Sequence, residues 1–434
     1  MFYLEAETQD QTQVGAERFK PKLQKVTSYK VVVDCDVINA GKITALMVRY
    51  TLYTYREVVE MRTPMEQAIF LDFYKNTILC GSNNYQRFIC NKLESENRIS
   101  FDNQRKMSDK ENTLFFESKK DLKSIISKIT TTPSFMAFFE ELEYEKLYKY
   151  SIPLFFEEVE KGIVESLQEC GIELFDKTNY TPDYAIDRDL YEAVPIAYCV
   201  DDKVFIKFVL QKAYLHSETF EQIDYRYPIV IYIDKTINVL EIRYDAMRYS
   251  YNEQVDRDAY TKIASFCIEW IKKNLHLRLF TCGHTDTITI INDIQNTEVR
   301  MYKQMMEMKS GGSAELTASE NGDYLLPFIG EIRELIDENE ELFSESEEIR
   351  QLLLQYLTEK EATASYPYIY VKWVKPVETR SYIVKITFDY FSGKYTLLQH
   401  ITGSCKDSGM GRMNDAIEYL SKSGSFVKGE EIKY

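Results

Sequence analysis

The sequence has no apolar run able to cross a bilayer: its most apolar short stretch, from Pro228 to Ile233, falls far below the roughly 20 residues a spanning helix needs. It opens Met1-Phe2-Tyr3-Leu4 and meets Glu5, Glu7 and Asp10 at once, with no basic start followed by an apolar stretch, so no secretory leader is expected. Glycine (16) and proline (10) are scarce among 434 residues, which excludes collagen-like, low-complexity and wholly disordered classes. The eight cysteines include no Cys-x-x-Cys pair, so neither a zinc ribbon nor a dithiol redox centre is indicated, and they read as reduced, mostly buried thiols of a cytoplasmic protein. Basic residues are in deficit, 53 against 69 acidic, for a net charge of −16. That balance argues against a chain that coats nucleic acid over most of its surface.

What remains is an ordinary globular composition, 44% hydrophobic with 33 Tyr and 24 Phe, in a chain long enough for roughly two to four domains. Its charge is uneven. Residues 1–130 carry 20 Lys/Arg against 17 Asp/Glu, whereas residues 131–434 carry 33 against 52. Two stretches supply the acidic excess: 131–200, with 15 acidic and 5 basic residues, and 301–350, with 13 and 4. The two parts therefore present different surfaces to partners, unless the carboxylates simply solvate helix faces.

The pattern predicts an α+β, multi-domain protein with antiparallel β-meanders, each backed by a helix, and an intervening acidic helical region. Strands are expected at Lys30–Asp36 and Lys42–Tyr55, making a slightly basic, β-rich domain of residues 1–130. Thr132-Pro133 signals a helix start, and a second helix is read from Pro153 through Phe156, Val159, Ile163 and Cys170 to a stop at Gly171. Period-two alternation then gives a meander (Val204–Leu210, Ile229–Ile233, Leu240–Tyr244) and a covering helix through Ile263, Cys267 and Ile271, closing a domain of 131–308. Ile294, Met301, Tyr302 and Met305 read as one face of a further helix, and the glycine- and serine-bearing stretch from Ser310 to Gly322 as a linker. A third domain, 323–434, combines an acidic helical hairpin with a second meander and helix; the hairpin's later helix starts at a Ser344/Glu347 capping box. The units at 203–275 and 366–422 share one pattern of three strands and a helix, which reads either as a weak internal duplication or as similar architecture without common origin.

Several residue groups could carry chemistry. Val31-Val32-Val33-Asp34-Cys35-Asp36 ends an apolar strand in two carboxylates on one side, suited to hard oxygen ligation of a divalent cation. Haloacid-dehalogenase-like phosphatases open with a strand of this type, and Ala197–Asp202 is similar to their later acidic pair. The chain departs from that pattern where a second extended run follows in place of a helix. Pro182-Asp183 with Asp201-Asp202-Lys203 resembles the PD-(D/E)xK nuclease signature, implying two carboxylates on Mg²⁺ and Lys203 positioning water. As a bland alternative, Asp201 to Lys203 form a solvated hairpin turn. Cys282, His284 and Asp286 alternate along one strand, while His216, His276 and His400 stand without a nucleophile partner. The loop containing Gly403, Ser408, Gly409, Gly411 and Arg412 leads into a helix and is a candidate anion cradle. Tyr85, Arg87, Lys92, Arg98, Arg105 and Lys106 mix cations with aromatics as a nucleic-acid contact would.

No cofactor is expected. The leading expectation is a non-enzymatic scaffold component of a cytoplasmic multiprotein assembly that meets another protein through its acidic helices and has no membrane contact. An accessory subunit in microbial antiviral defence is one such setting, although no residue carries it. The alternatives are a metal-dependent phosphoester hydrolase using Asp183/Asp201/Lys203 or Asp34/Asp36, and a nucleic-acid reader in the N-terminal third.

Overall fold

The computed structural model describes residues 32–40, 43–51, 64–101, 113–158, 161–178, 180, 189–216, 218–248, 258–284, 299–307, 312–317, 329–363, 365–373, 382–402, 409–424 and 426–433. By contact the chain divides into two compact units, Met1–Arg62 and Thr63–Tyr434. The first contains an antiparallel pair, β1 (Val32–Ala40) and β2 (Ile43–Thr51), in which Asp34 faces Arg49 and Asp36 faces Met47 across the ladder.

The second unit begins with helices. Pro64 occupies the first position of α1 (Pro64–Cys80), where a missing N–H costs nothing. Ser82 caps α2 (Asn83–Ser95), accepting the Tyr85 N–H at 3.2 Å. A short parallel pair, β3 (Ile99–Ser100) and β4 (Leu114–Phe115), precedes α3 (Leu122–Ile129), whose cap is Asp121, and α4 (Met136–Glu145), which follows a single 3₁₀ turn at Pro133. Phe70, Tyr74, Ile89, Leu93, Ile126 and Phe138 form the core of this helical layer. Beyond the β1–β2 pair, the described part of the first third holds the helices α1, α2 and α3, which the sequence pattern does not announce, together with the short strands β3 and β4.

The sheet follows. β5 (Tyr150–Glu157), α5 (Ile163–Glu169), β6 (Glu173–Leu174) and β7 (Ile196–Val200) lead to the long strands β8 (Lys203–Leu215) and β9 (Gln222–Asp234), then β10 (Val239–Tyr244) and α6 (Ala259–Leu275). Next come β11 (Arg278–His284), β12 (Val299–Glu307), β13 (Ser313–Thr317) and an acidic hairpin of α7 (Ile329–Glu338), α8 (Glu340–Ser344) and α9 (Glu347–Thr363). The chain closes with β14 (Tyr368–Trp373), β15 (Tyr382–Asp389), β16 (Tyr395–Thr402), α10 (Gly411–Lys422) and β17 (Phe426–Glu431). A left-handed turn at Phe391, Ser392 and Gly393 (φ 54°, 59° and 80°) joins β15 to β16.

Among the described residues thirteen strands share one sheet in the order β13-β12-β14-β15-β16-β5-β10-β9-β8-β7-β6, with β11 bonded to β5 and β17, and β6–β7 is the one parallel pair of that sheet. The protein is α+β, as the sequence predicts. The two meanders, β8-β9-β10 and β14-β15-β16, meet the opposite edges of β5. Because β10 and β16 both run antiparallel to β5, they run parallel to each other. Ile231, Ile233, Leu240 and Ile242 pack on α6, whereas Val230, Tyr232, Val239, Val371 and Val384 share a core with Met413, Ile417 and Leu420 of α10. The helices behind the two meanders therefore cover opposite faces. Mirrored strand order, preserved direction and swapped faces are what a two-fold axis lying along β5 would produce.

Four local expectations are corrected. Residues 153–157, read as the start of a helix, belong to β5, and only Ile163–Glu169 is helical before the left-handed Gly171 (φ 68°). A central strand buried on both faces reads as a continuous apolar run, which periodicity does not separate from a helix. Residues 299–307 form β12 instead of a helix. A bulge between Met301 and Lys303 puts Met301, Gln304 and Met306 on the buried side, while Tyr302 and Met305, expected on one face with Met301, are only half-buried. Ser313–Thr317 of the expected linker pairs with β12. Ser344 ends α8 and donates its hydroxyl to the Glu341 carbonyl at 2.6 Å, while Ser346 precedes α9, so no Ser344/Glu347 capping box forms.

Candidate functional site

The acidic excess of residues 131–200 and that of residues 301–350 have different structural fates. In α4, Phe138, Phe139 and Leu142 enter the helical core and carry Glu140 and Glu143 inward with them. Both carboxylates meet Lys207 of β8 and Arg226 of β9, and all four residues are at most 4% exposed. Arg226 grips Glu143 bidentately, its Nε and Nη2 each 2.8 Å from a carboxylate oxygen. Lys207 lies 2.5 Å from Glu140 and 2.7 Å from Glu143. Tyr74 and Tyr180 donate to Glu140 at 2.9 and 3.0 Å. Burial raises the Glu143 carboxyl, but Arg226 and then Lys207 outweigh it and hold the group down to about 2. Two buried carboxylates neutralised by two buried cations form a latch between the helical layer and the sheet.

A second buried pair lies beside it. Arg243 donates to Glu241 and, at 2.6 Å, to Asn414 on α10, while Ser151 donates to Glu241 at 2.6 Å. Next to it opens a cleft of 630 Å³ whose walls include Phe88 and Lys92 of α2, Glu145 of α4, Phe205 of β8 and the start of α10. Gly409, Gly411 and Arg412 of the expected anion cradle line this cleft, and so does Lys92 of the expected nucleic-acid set. Two residue groups that sequence reading kept apart thus share one wall. Lys92 pairs with Glu145, and the Arg412 guanidinium lies 5.4 Å from the centre of the Tyr382 ring. Arg243 and Asp415 also line it, so three cations and two carboxylates face the cleft, and Arg243 is already paired with Glu241 behind it.

The other predicted residues separate. Asp34 and Asp36 lie within β1, in the first compact unit, and an antiparallel partner strand follows them where a phosphatase of the kind they resemble has a helix. Asp201 sits at the β7–β8 turn with φ 51°, and Lys203 opens β8; both are solvent-exposed, in line with a hairpin turn. Arg87 is exposed, whereas Arg98 pairs with Glu96 at 3.3 Å and lies 5.8 Å from the Phe135 and Phe138 rings. Tyr85 packs against the helical core. Cys282 is buried in β11, His276 ends α6 in a left-handed conformation, and burial followed by Arg412 lowers the His400 imidazole. Asp183, Gly403, Ser408, Arg105, Lys106 and Asp286 lie outside the described residues. Among the described residues, no group of three His, Cys, Asp or Glu side chains is placed to hold a metal ion.

The hairpin α7–α9 is the reverse of α4. Residues 329–363 carry eleven Asp/Glu and three Lys/Arg. Ile336 and Leu357 anchor the hairpin at 1% and 2% exposure, yet Leu342 is 76% exposed and Leu352 67%. Ile332, Leu335, Ile349 and Tyr356 are also open to solvent. On α9, Ile349, Leu352 and Tyr356 fall at i, i+3 and i+7, next to the inward Leu353 and Leu357, so its apolar arc is wider than the part the fold covers. Asp337, Glu338, Glu341, Glu345 and Glu348 of the same hairpin are exposed as well.

Comparison with known proteins gives no match: no protein family, no curated protein and no solved structure corresponds to the chain. Among the described residues no helix is long and apolar enough to cross a membrane.

Proposed function

We propose that this protein is a non-enzymatic binding component of a multiprotein assembly, in a cytoplasmic setting, and that α7–α9 is the surface by which it holds another protein. The observation that carries this reading is the exposure of Leu342 and Leu352 within a strongly acidic hairpin that Ile336 and Leu357 fix to the core. Scattered exposed apolar side chains are ordinary on any protein, but a set concentrated on one helical element and rimmed by charge has the make-up of an interface. The free thiols of the described cysteines suit a reducing compartment.

Light scattering after size exclusion tests the proposal on full-length protein purified gently from its own cells. The wild type is expected to elute with a partner at a mass above that of its own chain or oligomer. The Leu342→Ser/Leu352→Ser/Tyr356→Ser variant is expected to lose that partner while keeping its far-ultraviolet circular dichroism. A solitary wild type that hydrolyses phosphoesters with Mg²⁺, and stops doing so on Asp201→Ala or Asp34→Ala, would replace this reading with the hydrolase one.

A further inference from the structure

We propose that the occupant of the α7–α9 surface is a cationic amphipathic helix of another protein, an inference that rests on the binding role given above. The charge of the hairpin selects the partner. With eleven carboxylates against three basic side chains, residues 329–363 set up a field that a second copy of the same hairpin would double. Like-charge apposition disfavours self-association through this face, and equally an anionic lipid surface or a nucleic-acid backbone. The hairpin already settles one cation of its own: Arg350 lies 3.7 Å from Glu347, 3.8 Å from Glu340 and 4.0 Å from Asp337. Glu338, Glu341, Glu345 and Glu348 make no ion pair among the described residues, so they are available to lysines or arginines brought from outside.

The apolar spacing selects the shape. Ile349, Leu352 and Tyr356 form a row along α9, and Ile332 and Leu335 a shorter row on α7. Rows on packed helices accept the ridge of a third helix, whose apolar anchors recur at three- and four-residue spacing. A helix with leucines on one face and lysines flanking them would place apolar side chains on the row and ammonium groups among the rim carboxylates.

The test uses the full-length protein and three synthetic peptides of about 20 residues. One carries leucines at helical spacing with lysines elsewhere, the second has glutamates in place of the lysines, and the third is the lysine peptide with its leucine order scrambled. Fluorescence anisotropy is expected to show binding of the first peptide, weakening steeply as salt rises from about 50 mM to about 300 mM. The scrambled peptide is expected to bind about tenfold more weakly. The Leu342→Ser/Leu352→Ser/Tyr356→Ser variant should lose about tenfold in affinity for the first peptide, and Glu341→Gln/Glu345→Gln/Glu348→Gln should lose several-fold and flatten the salt dependence. If the glutamate peptide binds as tightly as the lysine one and the serine variant weakens both, the partner's charge is wrong while the docking surface survives. If the serine variant leaves the lysine peptide unaffected, or that peptide fails to bind, the surface itself is wrong. Binding to phosphatidylserine vesicles that the serine variant abolishes would mean that a membrane is the occupant.

Discussion

The helix α4 and the hairpin α7–α9 are both rich in glutamate, and the protein puts that glutamate to opposite uses. Glu140 and Glu143 occur at i and i+3 on a helix whose other residues include Phe138, Phe139 and Leu142, and the strands beneath supply Lys207 and Arg226 to receive them. Glu345 and Glu348 also stand three apart, but among the described residues no cation of the sheet meets them, and they remain exposed. The difference teaches that acidic content alone does not define a surface. A carboxylate is part of the core where its neighbours are apolar and a cation waits on the facing strand, and is solvating where neither holds.

The sharpest way to break this comparison is to remove one cation from the latch. Arg226→Met strips the bidentate partner from Glu143 and leaves a buried carboxylate under-compensated, a loss of about 3–5 kcal/mol. Urea unfolding monitored by tyrosine fluorescence checks this. A cost no larger than that of a surface charge would mean that the latch is not buried in solution.

Acid provides the next largest effect. Glu143 is held down to about 2, below its ordinary value of 4.5. Its contribution to stability is therefore complete above pH about 4.5 and is lost as the pH falls toward 2, of the order of 3 kcal/mol over that window. Urea midpoints at a series of pH values between those limits should fall steeply in the wild type. Glu143→Gln, less stable at neutral pH, should show a shallower slope over the same window.

The same contrast explains what could be read from sequence. Strands β8, β9 and β10 were legible because Val204, Ile206, Phe208 and Leu210 alternate, and α6 because its apolar stripe recurs at helical spacing. β5 was not, since it is buried on both faces, and the bulge of β12 disguised its period. The latch is not legible in the acidic excess of residues 131–200, because composition alone does not separate Glu140 and Glu143 from carboxylates that solvate a helix face. The signal lay in Lys207 and Arg226, charges in the middle of apolar strands, where an unpaired cation would be too costly to bury. For the hairpin, the sequence disclosed the acidic helices, but which of their apolar residues stay outside depends on how Ile336 and Leu357 dock, and that is a tertiary fact.

Within the hairpin the comparison can be repeated between its inner and outer apolar residues. Leu357→Ala opens a cavity against the core shared with Ile336 and should cost about 2 kcal/mol, the low end for a buried leucine at the margin of a domain. Leu352 lies five residues earlier on the same helix and is 67% exposed. Leu352→Ser should change stability by no more than about 0.5 kcal/mol, because serine neither leaves a cavity nor buries a polar group there. Its helix propensity is a few tenths of a kcal/mol below that of leucine, which sets the sign of the small change. Thermal melts of the two variants side by side check the ratio. Equal losses would mean that Leu352 is covered by the protein's own chain in solution, and the outer row of α9 would then be core instead of a surface awaiting a partner.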